Sequence, residues 1–190
     1  MITQYYTATS IDGFIADSDN SLEWLFQVEG DAEGVAEDYP RFIADVGALA
    51  MGSTTYEWLE NHTGFLEDPT KWEYDLPTWV FSSRDLPRPE GPDIRFVSGD
   101  VAPVHAEMVN AAAGKNVWLV GGGDLVGQFH DQGLLDEIIL GVAPVFLGSG
   151  APLLPRRIPS QQLRLVEATQ HGSTFATLRY AVSEPHQEDA

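Results

Sequence analysis

Apolar positions along this chain recur with two different periods, and the two kinds of run alternate from one end to the other. Ile2 to Thr9, rich in Tyr and Thr, reads as a first strand, broken by Ser10 to Ala16. Val35, Ala36, Tyr39, Phe42, Ile43 and Val46 share one helical face, and Pro40 puts the start of the regular helix near Asp38. Ala48 to Met51 is a short buried strand running into Gly52-Ser53-Thr54-Thr55, where Thr54 and Glu57 have capping-box spacing for a helix through Leu59. Glu60 to Leu76 mixes Gly, Pro and charge with Trp72 and Tyr74, and reads as a long loop packed by its aromatics.

Pro77 to Phe81 and Ile94 to Val97 are the next strands, joined by a Pro-rich connection. Asp100 caps a helix whose stripe is Val101, Val104, Met108, Val109 and Ala112, ending near Gly114. Asn116 to Val120 enters Gly121-Gly122-Gly123, and a helix follows to Gly133. Ile138 to Val142 is a strand, Pro144 to Pro155 an ordered loop, and Leu163 to Thr169 with Thr174 to Val182 an antiparallel hairpin around His171-Gly172-Ser173. Strands alternating with helices predict an α/β fold with a mixed, mainly parallel central sheet. Residues 1–183 are expected to form one domain, with Glu184 to Ala190 a frayed acidic tail.

Composition narrows the function. Ten Lys and Arg against 29 Asp and Glu leave a formal charge of −19 over 190 residues, which argues against nucleic acid and anionic membranes as partners. The chain has no Cys, so disulfides and thiolate chemistry are excluded. The five histidines lack metal-ligand spacing, so no metal site is expected. Neither a secretory leader nor a membrane-length apolar run is evident, and the expectation is a cytoplasmic protein.

Four segments could carry chemistry. Gly52 to Thr55 and Gly121 to Gly123 place glycine just before a helix, where first-turn amides and the helix dipole suit a phosphate; each is equally an ordinary strand-to-helix turn. Gly121-Gly122-Gly123 is not the dinucleotide fingerprint, since Val126 stands where the final glycine belongs and Gly127 comes one residue late. Ser82-Ser83-Arg84 offers donors for a ribose 2′-phosphate, or is a solvated turn. Asp12, before Gly13, is the carboxylate placed to face the site; it could bind substrate or pass a proton if burial raises its pKa, and it is otherwise a turn residue. Trp24 follows closely enough to line a pocket, and of the adjacent Asp136 and Glu137 one should be buried and one solvated.

In order, Thr7 to Ala16, Met51 to Tyr56, Phe81 to Arg84, Val117 to Gly123, and Asp136-Glu137 through Pro144 to Gly150 resemble the dihydrofolate reductase-like family that contains the C-terminal reductase domain of bacterial riboflavin biosynthesis. The similarity runs from about Ile2 to Val182. It implies a three-layer fold, a small-molecule substrate, NADPH as cofactor and a homodimer. It also implies that Gly52, Ser53, Thr54 and Thr55 meet the cofactor's phosphates, with Ser82, Ser83 and Arg84 near its 2′-phosphate. Gly121, Gly122, Gly123, Asp124 and Leu125 would lie by the pyrophosphate and nicotinamide, and Ala8, Asp12, Ile15 and Ala16 by nicotinamide and substrate. Phe146, Gly148 and Ser149 would close the pocket. Basic residues to hold a ribose phosphate on the substrate are not evident; Arg156 and Arg157 come nearest. The expected activity is NADPH-dependent reduction of a C=N or C=O bond in a pterin- or pyrimidine-like heterocycle, the alternative being a catalytically silent nucleotide-binding module.

Overall fold

Six consecutive residues, Val46 to Met51, are completely buried, and a strand covered on both faces belongs at the centre of a parallel sheet. The computed structural model describes residues 1–28 and 33–183, the side chains of 33–37 excepted; the tail expected to fray lies outside them. In chain order the elements are β1 (Thr3–Thr9), β2 (Phe14–Ala16), α1 (Glu23–Phe26), α2 (Glu33–Ala44), β3 (Val46–Gly52), α3 (Ser53–Thr63), β4 (Thr78–Phe81), β5 (Ile94–Val97), α4 (Val101–Ala111), β6 (Asn116–Gly121), α5 (Gly123–Asp131), β7 (Glu137–Val142), β8 (Ala151–Pro152), β9 (Leu163–His171) and β10 (Phe175–Val182).

The main sheet runs β5-β4-β3-β6-β1-β7-β10-β9. Neighbours from β5 to β7 are parallel, whereas β10 is antiparallel to both β7 and β9. This is the mixed, mainly parallel sheet with a terminal hairpin that the residue pattern predicts. Alternation along β3 separates two cores. Ala48 and Ala50 join Tyr5, Leu119 and Ile138 beneath Val104 and Met108 of α4 and Val126 and Phe129 of α5. Leu49 and Met51 join Trp118 and Val80 beneath Tyr56 and Leu59 of α3, with Phe65 and Trp72 from the following loop. The fold therefore has three layers. Among the described residues no helix is long and apolar enough to cross a membrane.

Several local expectations are corrected. Helix α2 begins at Glu33 rather than near Asp38, with Pro40 inside it. Proline removes one backbone bond, but the helix is held by packing: Phe42 lies 4.5 Å from Tyr6 and 5.4 Å from Trp118, and such packing supplies most helical stability. Val46, assigned to that helical face, instead opens β3. The Thr54/Glu57 capping box does not form, because Gly52 is the N-cap of α3 and no side chain caps it. Helix α3 also runs past Leu59 to Thr63, where Gly64 takes a left-handed C-cap with φ 72°. The loop beyond packs by aromatics as expected, with Trp72 edge-on to Phe65 at 4.9 Å. The Asp100 cap forms, its carboxylate accepting the Ala102 amide at 3.0 Å. Glu137 is buried and accepts from Gln4 Nε2 at 2.6 Å, while Asp136 is exposed and accepts the Thr3 amide at 2.7 Å.

Candidate active site

Parallel strands end their carboxyl termini on one edge, and ligands of open α/β sheets bind in the crevice there. At this edge β3 ends in Gly52 and β6 in Gly121, and the register pairs Met51 with Gly121. A Cβ built on Gly52 would stand 3.8 Å from the Gly122 amide nitrogen and 3.9 Å from the Gly121 carbonyl oxygen. The two glycine turns are thus side by side. Their N-caps share one conformation, φ −80° and ψ 164° at Gly52, φ −79° and ψ 173° at Gly122, and neither helix has a side-chain cap. First-turn amides have no partner within their own helix, so two dipole-positive termini open onto one crevice. A Cβ on Gly123 would run into the carbonyl oxygens of Pro152 and Leu153, so glycine here lets α5 start against β8.

The crevice is a cleft of about 430 Å³. Nine predicted site residues line it: Ala8, Ile15, Ala16, Thr54, Thr55, Gly121, Gly122, Gly123 and Asp124. Its other half, absent from the sequence reading, is apolar and aromatic, with Tyr6, Leu22, Leu25, Trp58, Tyr74 and Trp118. Trp58 had a legible signal: it follows Thr54 by four residues and so lies on the same face of α3. Tyr74 and Trp118 had none, being brought in by a loop and by the middle of β6. Strands β2 and β8, in segments where the residue pattern predicts a turn and a loop, pair antiparallel and form one wall. Their approach depends on Gly150, whose φ is 150° and whose Cβ would collide with the Ala16 carbonyl.

The remaining predicted residues lie elsewhere. Gly52 and Ser53 head α3 without lining the cleft, and Leu125 is a buried core residue of α5. Trp24 is buried on α1 and does not line the cleft, although its neighbours Leu22 and Leu25 do. Phe146 is 71% exposed, and neither it nor Gly148 nor Ser149 lines the cleft. Ser82, Ser83 and Arg84 follow β4, whose Phe81 pairs with Gly52, so they share the edge but stay outside the cleft. There Ser82 Oγ accepts the Arg84 amide at 2.9 Å, and the Arg84 guanidinium grips both oxygens of Glu57 at 2.8 and 2.6 Å. That bond to Glu57 raises the Arg84 pKa further. It also explains the missing capping box, since the carboxylate that would close it is turned to Arg84.

Asp12 does not meet the condition for proton transfer. Its side chain is exposed, and its oxygens accept from the Ser10 hydroxyl at 2.6 Å, the Leu147 amide at 3.1 Å and the Gly148 amide at 2.7 Å. The Ser10 hydroxyl foremost, then the two amides, hold the carboxyl below its ordinary range. Asp12 clamps the 145–150 loop to the turn after β1.

A second hollow, about 390 Å³, lies beside α2, and its lining includes the charged side chains of Asp38, Glu137, Glu167 and Arg179. Each of these has a partner, Arg179 lying 3.9 Å from Glu137 and 3.8 Å from Glu167, and Asp38 3.3 Å from His171. The glycine-edged cleft is therefore the candidate site.

Comparison with known proteins gives the family and the fold. Residues 60–177 match the profile of the RibD C-terminal domain. The chain belongs to the RibD C-terminal domain family. Over 171 residues it is 33% identical to the uncharacterized protein YwjB of Bacillus subtilis, covering 90% of this chain and 92% of that one. The crystal structure of a candidate riboflavin biosynthesis protein from Shewanella sp. PV-4 superposes with a TM-score of 0.74 at 26% identity, over 96% of this chain and 99% of that one. Dihydrofolate reductase from Enterococcus faecalis, solved with NADP(H), shares the fold, with a TM-score of 0.61 at 12% identity over 96% of each chain. The RibD C-terminal match takes in the Ser82 to Arg84 turn, the triple glycine and the loop held by Asp12. The Gly52 turn and β1 precede it, so their place at the cleft comes from strand register.

Proposed function

We propose that the protein is an NADPH-dependent reductase acting on a C=N or C=O bond of a small pterin- or pyrimidine-like heterocycle. The observation that carries this reading is the pair of glycine-led helix termini, side by side at the ends of β3 and β6, with no side chain of their own closing them. Such a donor set fits a pyrophosphate in a protein of strongly negative charge, because backbone amides supply the attraction that Lys and Arg do not. When bound, NADPH supplies the hydride. Thr54, Thr55 and the first amides of α3 would hold one phosphate, and the Gly122 to Asp124 amides the other. Ala8, Ile15 and Ala16 would leave room for a flat ring. Ser82, Ser83 and Arg84 would take the 2′-phosphate, with Arg84 exchanging Glu57 for the ligand.

Titration of the purified protein with NADPH, read by tryptophan fluorescence, tests the reading through Trp58 and Trp118 in the cleft wall. Saturable quenching is expected, and none at millimolar cofactor overturns it. Arg84→Ala should weaken NADPH roughly tenfold or more and leave NADH nearly unchanged, the range set by a charge-assisted bond. Equal losses would remove Arg84 from the 2′-phosphate site.

One observation favours the second reading, a nucleotide-binding module without turnover. Asp124 is the only carboxyl among the described lining residues, and it is exposed and bonded to Arg156 at 3.2 Å and Gln128 at 3.1 Å. NADPH binding without substrate-dependent oxidation would select this reading. We also propose a homodimer, supported by the outer edge strand β9, where Leu165 and Val166 are 51% and 47% exposed.

A further inference from the structure

The aromatic part of the cleft lining has a chemistry of its own. Leu22 and Leu25 come from α1 and its approach, Trp58 from α3, Tyr74 from the loop after it, and Trp118 from β6. Trp58 is not a loose surface ring. It stacks on His62 at 4.9 Å with 12° between the planes, and Phe26 stacks on the same imidazole at 5.5 Å and 5°. Three nearly parallel rings from two helices thus fix the orientation of the indole at the cleft wall.

Charge is distributed just as unevenly. None of the ten Lys and Arg residues of the chain lines this cleft. Arg84 is paired with Glu57 at 2.6 Å, Arg156 with Asp131 at 2.7 Å and with the rim carboxylate of Asp124 at 3.2 Å, and the exposed Arg157 lies outside the lining. Burial pushes the Tyr74 and Tyr6 hydroxyls up, so both stay neutral. A phosphate or carboxylate on the substrate would meet no counter-charge there, and an unpaired buried charge is costly. A flat neutral ring would instead gain stacking area and apolar burial.

The geometry points to a substrate that is a flat, uncharged aromatic or heteroaromatic ring without a phosphate ester, stacked on Trp58. This rests on the reductase reading for the cofactor half of the cleft and sharpens the substrate half. It separates this chain from any relative whose substrate carries a sugar phosphate.

Isothermal titration with a matched probe pair, 2-naphthol and 2-naphthyl phosphate, tests it on the whole protein with and without NADPH. The naphthol should bind, and the phosphate at least about tenfold more weakly. The gap should persist in about 0.5 M salt, where long-range repulsion from the acidic surface is screened. Trp58→Ala should weaken the naphthol about three- to tenfold, the range of an aromatic pair, whereas Trp58→Phe should retain most of the affinity. A phosphate that binds as well as the naphthol, a gap that vanishes in salt, a naphthol that fails to bind, or an affinity unmoved in Trp58→Ala would each overturn the inference. Failure of the cofactor reading is distinct: NADPH would not bind while the naphthol still did.

Discussion

Helices α3, α4 and α5 each begin just beyond the carboxyl end of a parallel strand, yet their amino ends are finished differently. Asp100 caps α4 with its own carboxylate, a negative group set against the positive end of the dipole. Helices α3 and α5 begin on Gly52 and Gly122, with no side-chain cap, at adjacent strands. Of these three, α3 and α5 have first-turn residues among the described lining of the cleft. A helix can cap its first amides with its own side chain or leave them without one, and this molecule does the first at the sheet's outer strand and the second at its centre.

The contrast can be broken at each end. The largest effect is expected at Gly52. Its φ is ordinary and its Cβ would find only van der Waals contact with Gly121 and Gly122, so Gly52→Ala should fold, yet it fills the slot between the turns. NADPH binding should weaken about tenfold, or about 1.4 kcal/mol, with thermal stability nearly unchanged. Unaltered affinity would show that the slot is not used.

Asp100→Ala is the mirror experiment. It should cost about 1 kcal/mol of stability and lower the melting temperature by about 2–4 °C, while NADPH affinity stays put. A loss of cofactor binding there would erase the distinction between capped and uncapped helices.

The smallest effect belongs to Asp12, beside the cleft. Its carboxyl is depressed below the ordinary 3.8, foremost by the Ser10 hydroxyl. The stability it lends is fully present above that ordinary value and lost as pH falls through the lower folded one. The clamp therefore holds at neutral pH. Asp12→Ala should speed hydrogen exchange at the Leu147 and Gly148 amides near pH 7 and leave the global melt almost unmoved; unchanged exchange would mean that the loop needs no clamp.

What the chain settles locally could be read from it. Strand and helix periods, the Asp100 cap, the Asp136/Glu137 split and the two glycine turns depend on neighbours within a few residues, and they stand where the pattern put them. Pro40 was misleading because local propensity was outweighed by Phe42 and Tyr39 packing on Trp118. Glu57 and Asp12 were misread for a related reason. A carboxylate's role is decided by its partners; Arg84 is 27 residues from Glu57, and Asp12, besides the nearby Ser10, holds the Leu147 and Gly148 amides 135 and 136 residues away.

The sequence by itself determined the order of the eight main-sheet strands and of helices α2 to α5, the acidic balance and the positions of the two glycine turns. Only the tertiary structure decided that the two glycine turns adjoin, that Trp58, Tyr74 and Trp118 line one cleft with them, and that no Lys or Arg is among the described lining residues. The first set depends on short-range sterics and periodicity. The second depends on the sheet order β3-β6-β1, which joins segments that no local rule connects.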